Sequence, residues 1–190
     1  MEFKKIQLNG FKSFAEKADF LIEDGLTGIV GPNGCGKSNI VESLRWAMGE
    51  TSAKSMRGSG MEDVIFSGTS NKASKNIAEV TIEVENKDKE GPIQYREHDQ
   101  VQIKRKIEKD KGSKFYINGK EVRARDAQMF FADLSTGAHS PSMISQGRIG
   151  ALVTAKPTDR RAILEEAAGI SGLHVRRHEA ELRLGAAENN

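Results

Sequence analysis

The chain has a single cysteine among its 190 residues, Cys35, so no intrachain disulfide can form and a reducing compartment is expected. Its length is enough to bury a core without such staples. No apolar run approaches the roughly 18 residues that cross a bilayer. The opening MEFKKIQLNG lacks an apolar signal core, so a cytoplasmic protein with no membrane partner is expected. Net charge is nearly absent. Against 29 Lys and Arg stand 27 Asp and Glu, and the resulting +2 does not by itself point to nucleic acid. Apolar residues make up only 37%, which suits a large polar surface or a domain lacking part of its partner surface. Four histidines, at 98, 139, 174 and 178, have no Cys or carboxylate cluster at metal spacing. His174 and His178 share a helix face and read as surface residues rather than a zinc pair.

Hydrophobic spacing predicts the elements that are present. Residues 3–9 alternate and read as a strand stopped at Gly10, with 18–22 as its partner. Residues 26–30 (Leu-Thr-Gly-Ile-Val) form a short apolar run of the kind buried on both faces of a sheet. The helical spacing of Ile40, Val41, Leu44 and Ala47 predicts a helix over 39–48, ended by Gly49. Residues 50–76 read as loop with a short apolar piece at 64–66. Strands are expected at 77–85, 100–107 and 113–117, with a tight Asn118-Gly119 turn, so the middle of the chain reads as an antiparallel meander. Helical patterns cover 123–134, 157–168 (Pro157 in its first turn) and 171–184, the last charged and too short to establish a coiled coil.

Between the 26–30 run and the first helix lies Gly31, Pro32, Asn33, Gly34, Cys35, Gly36, Lys37, Ser38, which satisfies G-x-x-x-x-G-K-[ST]. The glycines allow backbone angles that turn successive N–H groups inward around phosphate oxygens. The helix start adds its positive dipole end. Lys37 reaches the β- and γ-phosphates, and the Ser38 hydroxyl ligates Mg²⁺. The expected ligands are therefore ATP and Mg²⁺. A GTPase would need Asn-Lys-x-Asp; Asn86-Lys87-Asp88-Lys89 lacks the final Asp and lies in a charged turn. A complete ATPase also needs an apolar strand ending in Asp-Glu. Residues 129–133 come nearest but continue a helical pattern, so the chain is expected to carry half of a hydrolytic site and to be inactive alone.

These residues resemble the N-terminal head segment of SMC (structural maintenance of chromosomes) proteins, the bacterial and archaeal members best. The likeness includes Gly10-Phe11-Lys12-Ser13-Phe14, the phosphate loop through Asn39 with Cys35 where Ser is usual, and Trp46-Ala47-Met48-Gly49-Glu50. It continues through the arginine loop at 52–58, the run 61–66, the Q-loop at 145–149 and the stretch 160–170. It implies an α/β fold: the N-terminal half of a P-loop ABC-type ATPase head over 1–169, with a mixed sheet, and the base of a coiled-coil arm over 170–190. It also implies that the chain is a piece of a longer protein whose remaining motifs return far downstream. Two heads would sandwich two nucleotides and separate on hydrolysis. The implied partners are the C-terminal head half, a second head in a homodimer, a kleisin subunit at 170–190, and DNA in the nucleoid, in the service of chromosome condensation and segregation. A RecF-like repair ATPase head, a small-molecule kinase and a non-enzymatic DNA-binding module are the alternatives; no kinase lid is recognisable.

By resemblance, Lys12 and Ser13 lie near the phosphates, Arg57 approaches the nucleotide in cis, and Gln146 ligates Mg²⁺ or orients water. The plain alternative for each is a solvated loop residue. Lys37, Gln146 and Arg57 are the catalytic candidates. Cys35 reads as a tolerated replacement in a loop that binds through its backbone rather than as a redox switch. Residues 101–125 hold nine basic and three acidic side chains. Lys104, Arg105, Lys120 and Arg123 are accordingly expected to touch DNA without sequence specificity, the alternative being a solvated strand face.

Overall fold

The computed structural model describes residues 1–134 apart from 88 and 90, and beyond them 153–158, 160, 161, 177, 180, 181, 184, 185 and 187. Gln146, the Q-loop and most of the 157–168 and 171–184 helical patterns lie outside the described residues.

One six-stranded sheet organises the described chain, in the order β2-β1-β3-β4-β5-β6, antiparallel throughout. Its strands are β1 (Glu2–Asn9), β2 (Ala18–Leu21), β3 (Ile77–Glu85), β4 (Gln100–Glu108), β5 (Gly112–Ile117) and β6 (Lys120–Val122). Each follows the period-2 pattern of its sequence. Ile6, Leu8, Val80, Ile82, Ile103, Ile107, Phe115 and Ile117 are buried on one face. Asn118 and Gly119, both at positive φ (48° and 78°), make the two-residue turn between β5 and β6.

Two helices cover the buried face: α1 (Lys37–Ala47) and α2 (Ala124–Asp133). From α1, Ile40, Trp46 and Ala47 enter the core; from α2, Ala127, Phe130 and Phe131 do so. Trp46 is fully buried against Phe11, ring centroids 5.5 Å apart. Deleting such a side chain costs about 3–5 kcal/mol.

The expected loop 50–76 is more ordered than its composition suggests. Val64, Ile65 and Phe66 are buried because they pair with the turn after β1. Lys12 donates its N–H to Val64 O (2.7 Å) and Phe66 to Gly10 O (2.8 Å). Gly10, at φ 64°, lies so close to β3 that a Cβ there would stand 2.2 Å from Ile77 O. This contact holds the turn after β1 against β3.

The run 26–30 differs from expectation. It forms no strand, and Leu26 and Val30 are 99% and 94% exposed. A short parallel strand needs ladder partners on its flanks, and none of the six described strands lies beside it. The sheet that the structure describes is thus the antiparallel part of the expected mixed architecture. Residues 129–133 are helical, as read from the sequence, and supply no Asp-ended strand.

Candidate functional site

The phosphate-loop candidate leads directly into α1. Gly36 caps the helix at φ 100° with no side-chain cap bond, and no acidic residue occupies the first turn. A Cβ at Gly36 would stand 2.5 Å from Ser13 Oγ, so the left-handed angle and the close neighbour both require glycine. Within the loop, Cys35 donates its N–H to Pro32 O at 3.5 Å. The N–H groups of Asn33, Gly34 and Gly36 have no protein acceptor among the described residues. Free amides around a helix start that no side chain caps are a donor set for an anion. Lys37 folds back over the loop, donating from Nζ to Gly31 O (2.5 Å) and Pro32 O (2.6 Å), with Cys35 Sγ 3.8 Å away. Ser38 follows on the first turn, exposed and without a protein partner for its hydroxyl among the described residues. Amide donors, a lysine over them and a free first-turn hydroxyl fit a polyphosphate with its divalent cation.

Three segments far apart in sequence converge beside this loop. Asn39, two residues after Lys37, donates from Nδ2 to Ser13 Oγ (2.9 Å) and accepts from Arg57 Nη2 at Oδ1 (3.1 Å). Arg57 Nε is ion-paired with Glu42 Oε1, while Lys12 Nζ pairs with Glu42 Oε2 and donates to Met56 O (2.5 Å). Lys12 and Arg57 both have left-handed backbones, φ 46° and 55°, conformations that surrounding contacts must hold. The loop carrying Arg57 is fastened by Asp63, whose Oδ2 accepts the N–H of Ser59 (2.6 Å), the hydroxyl of Ser59 (2.8 Å) and the N–H of Gly60 (3.0 Å). Those bonds, that from Gly60 foremost, hold its carboxyl below the usual carboxylate range.

The structure therefore gathers Lys12, Ser13, Lys37, Asn39 and Arg57 in one neighbourhood. Lys12 is not directed at the loop, because its ammonium is taken by Glu42 and Met56 O. Glu42 was not legible as part of this set: it is a helix residue whose partners lie 30 positions before it and 15 after. Asn86, the first residue of the rejected Asn-Lys-x-Asp candidate, is buried. Its amide donates to Tyr95 O, Arg96 O and His98 O and accepts from Gly91 N, so it clamps a loop and reads no base.

The expected DNA set needs a correction. Arg105 is 3% exposed on the inner face of β4. It lies between the rings of Trp46 and Phe115, 4.5 and 4.7 Å from their centroids. It donates to Trp46 O, Glu50 O (both 2.7 Å) and Ser113 Oγ (2.8 Å). Burial lowers its pKa to about 10, opposed by the Glu50 carboxylate, so it stays cationic at neutral pH. It braces the end of α1 against the sheet and cannot touch DNA. Lys104 lies on the outer face, its Nζ 5.9 Å from the Tyr116 ring centroid, and Lys120 and Arg123 are exposed. Acidic neighbours reach the same face, with Lys106 paired to Glu79 (3.7 Å) and Lys114 to Glu121 (3.0 Å). The positive charge is thinner in space than along the sequence.

Known proteins share this chain's sequence and fold. The model of the RecF/RecN/SMC N terminal domain family matches residues 2–148. The chromosome partition protein Smc of Rhodopseudomonas palustris is 57% identical over 190 residues, covering all of this chain and 16% of that protein. The chain thus spans about a sixth of the length of the curated relatives it matches. A solved structure described as concerning ATP-driven dimerization and DNA stimulated activation of SMC ATPases superposes with a TM-score of 0.75 at 32% identity, covering 88% of this chain and 99% of that one. The Smc head domain of Pyrococcus furiosus, with an extended coiled coil and bound to the C-terminal domain of ScpA, superposes at 0.82 and 32% identity, covering all of this chain and 47% of that one. No helix among the described residues is long and apolar enough to cross a membrane. The chain belongs to the RecF/RecN/SMC family and corresponds within it to the N-terminal head segment of SMC proteins.

Proposed function

We propose that this chain is the ATP-binding N-terminal lobe of an SMC head, completed to an ATPase by a C-terminal half, whose ATP-driven pairing with a second head acts in chromosome condensation and segregation. The observation that carries this reading is the glycine-capped start of α1, with loop amides unpaired and Lys37 lying across them. The backbone from Gly31 to Ser38 would cradle the phosphates, and Lys37 would exchange its two carbonyl acceptors for phosphate oxygens. Ser38 and Gln146 would hold Mg²⁺, which neutralises charge on the β- and γ-phosphates. Arg57, tethered at one edge of its guanidinium, has further N–H groups for phosphate. Ser13 and Lys12 act through Asn39 and Glu42.

The exposed run 26–30 supports completion by another segment, because an apolar strand sequence at full exposure is stable only once covered. A second head, a kleisin subunit at 170–190 and non-specific DNA at Lys104, Lys120 and Arg123 are the partners of this reading, in the nucleoid region of the cytoplasm. Mixing the chain with its C-terminal head half tests it. ATP turnover should appear only in the mixture and vanish with Lys37→Ala. Turnover that survives Lys37→Ala, or never appears although the halves associate, would sink the proposal.

A further inference from the structure

Glu42 bears on nucleotide binding in a way that rests on the proposed function and goes beyond it. Its side chain is almost wholly enclosed, yet it is a carboxylate on the helix that presents the phosphate loop. Burying a carboxylate is costly unless it is paired. Here both oxygens are paired, Oε1 with Arg57 Nε and Oε2 with Lys12 Nζ. The two cations differ. Lys12 is enclosed, 13% exposed, and also bound to Met56 O, so it is part of the wall. Arg57 is 59% exposed. Its Nε is held by Glu42 and its Nη2 by Asn39, which leaves the remaining N–H groups of this exposed fork without a protein acceptor among the described residues.

We propose that Glu42 is a positioning residue for nucleotide binding. It grips the inner edge of the Arg57 guanidinium, with Lys12 locking the carboxylate, so that the outer edge is presented to phosphate. Three features support this. Asn39 and Glu42 are three apart on α1 and therefore share a face, which gives the guanidinium two fixed acceptors on the same rigid element as Lys37. The left-handed backbone at Arg57 places the arginine at the close of a single 3₁₀ turn, a position that side-chain bonds must secure. Finally, a planar fork held at two points loses little freedom when it binds a third group.

A double-mutant cycle on calorimetric affinity for Mg-ATP tests the proposal in the chain itself, with melting temperature recorded for every variant. Arg57→Ala should weaken binding about tenfold, the scale of one charge-assisted hydrogen bond. Glu42→Gln should weaken it by a similar factor, and the double variant should be no worse than Arg57→Ala alone. Should Glu42→Gln fail to fold, Glu42→Asp keeps the charge on a shorter stem. It should weaken binding less than tenfold, and not at all in the Arg57→Ala background. A purely structural glutamate would lower the melting temperature in both backgrounds and weaken ATP binding additively, which would overturn the proposal. If the unmodified chain binds Mg-ATP and Lys37→Ala does not, the nucleotide reading stands whatever the cycle returns. If the unmodified chain does not bind, both fall.

Discussion

The meander from β3 to β6 and the stretch from 22 to 36 have similar shares of apolar residues but opposite fates. In the meander, turns of two or three residues join β4, β5 and β6, and β3 meets β4 across residues 86–99, so the inner face is buried from Ala78 to Ile117. In the second stretch Leu26, Ile29 and Val30 stay exposed although their sequence reads as a buried strand. Antiparallel neighbours come with the local chain, whereas a short strand leading into a phosphate loop depends on partners distant in sequence. The first region is a finished core. The second is an exposed apolar run, which the proposed C-terminal half would cover, and the candidate binding loop is attached to it.

The largest effect is expected at the seam of the finished region. Arg105→Leu removes the donor shared by Trp46 O and Glu50 O and should cost about 3 kcal/mol in a urea midpoint measurement. It should leave the salt dependence of DNA binding unchanged; the opposite pattern would return Arg105 to the surface set. Next, amides of 26–30 should exchange freely in the chain alone and slow by about a hundredfold when the C-terminal half is added, while those of β3 and β4 stay protected throughout. Equal protection in both states would mean that the exposed run has no partner there. A smaller change is expected from replacing Lys104, Lys120 and Arg123 together by glutamine, which should lower the slope of log affinity for duplex DNA against log salt by about 2–3. An unchanged slope would leave the outer face as merely solvated. The smallest effect concerns Cys35, which is exposed beside Lys37. Its maleimide labelling should slow several-fold under Mg-ATP, and equal rates would argue against a ligand over the loop.

How much of this was legible follows the same division. The strands of the meander, its Asn-Gly turn, α1 and α2 were readable because periodicity and turn chemistry are local signals. Arg105 belongs to the core rather than to the expected DNA face, and the sequence carries the signal for it. Val101, Ile103 and Ile107 alternate inward, and Arg105 sits at the same parity. A run of basic residues outweighed that count. Glu79, which pairs with Lys106 and dilutes the patch, comes from a neighbouring strand and is invisible in a stretch read by itself, whereas Glu121 lies within the stretch. The phosphate loop was legible because its backbone needs glycines at set spacing. Glu42 was not, because its meaning is given by Lys12 and Arg57, which only the fold brings together.

If the loop ahead of α1 receives a polyphosphate, Mg-ATP titrated into the folded chain in a calorimeter will bind there. A saturable heat should appear for the unmodified protein and be absent for Lys37→Ala at an unchanged melting temperature. No heat from well-folded, unmodified protein would contradict the account.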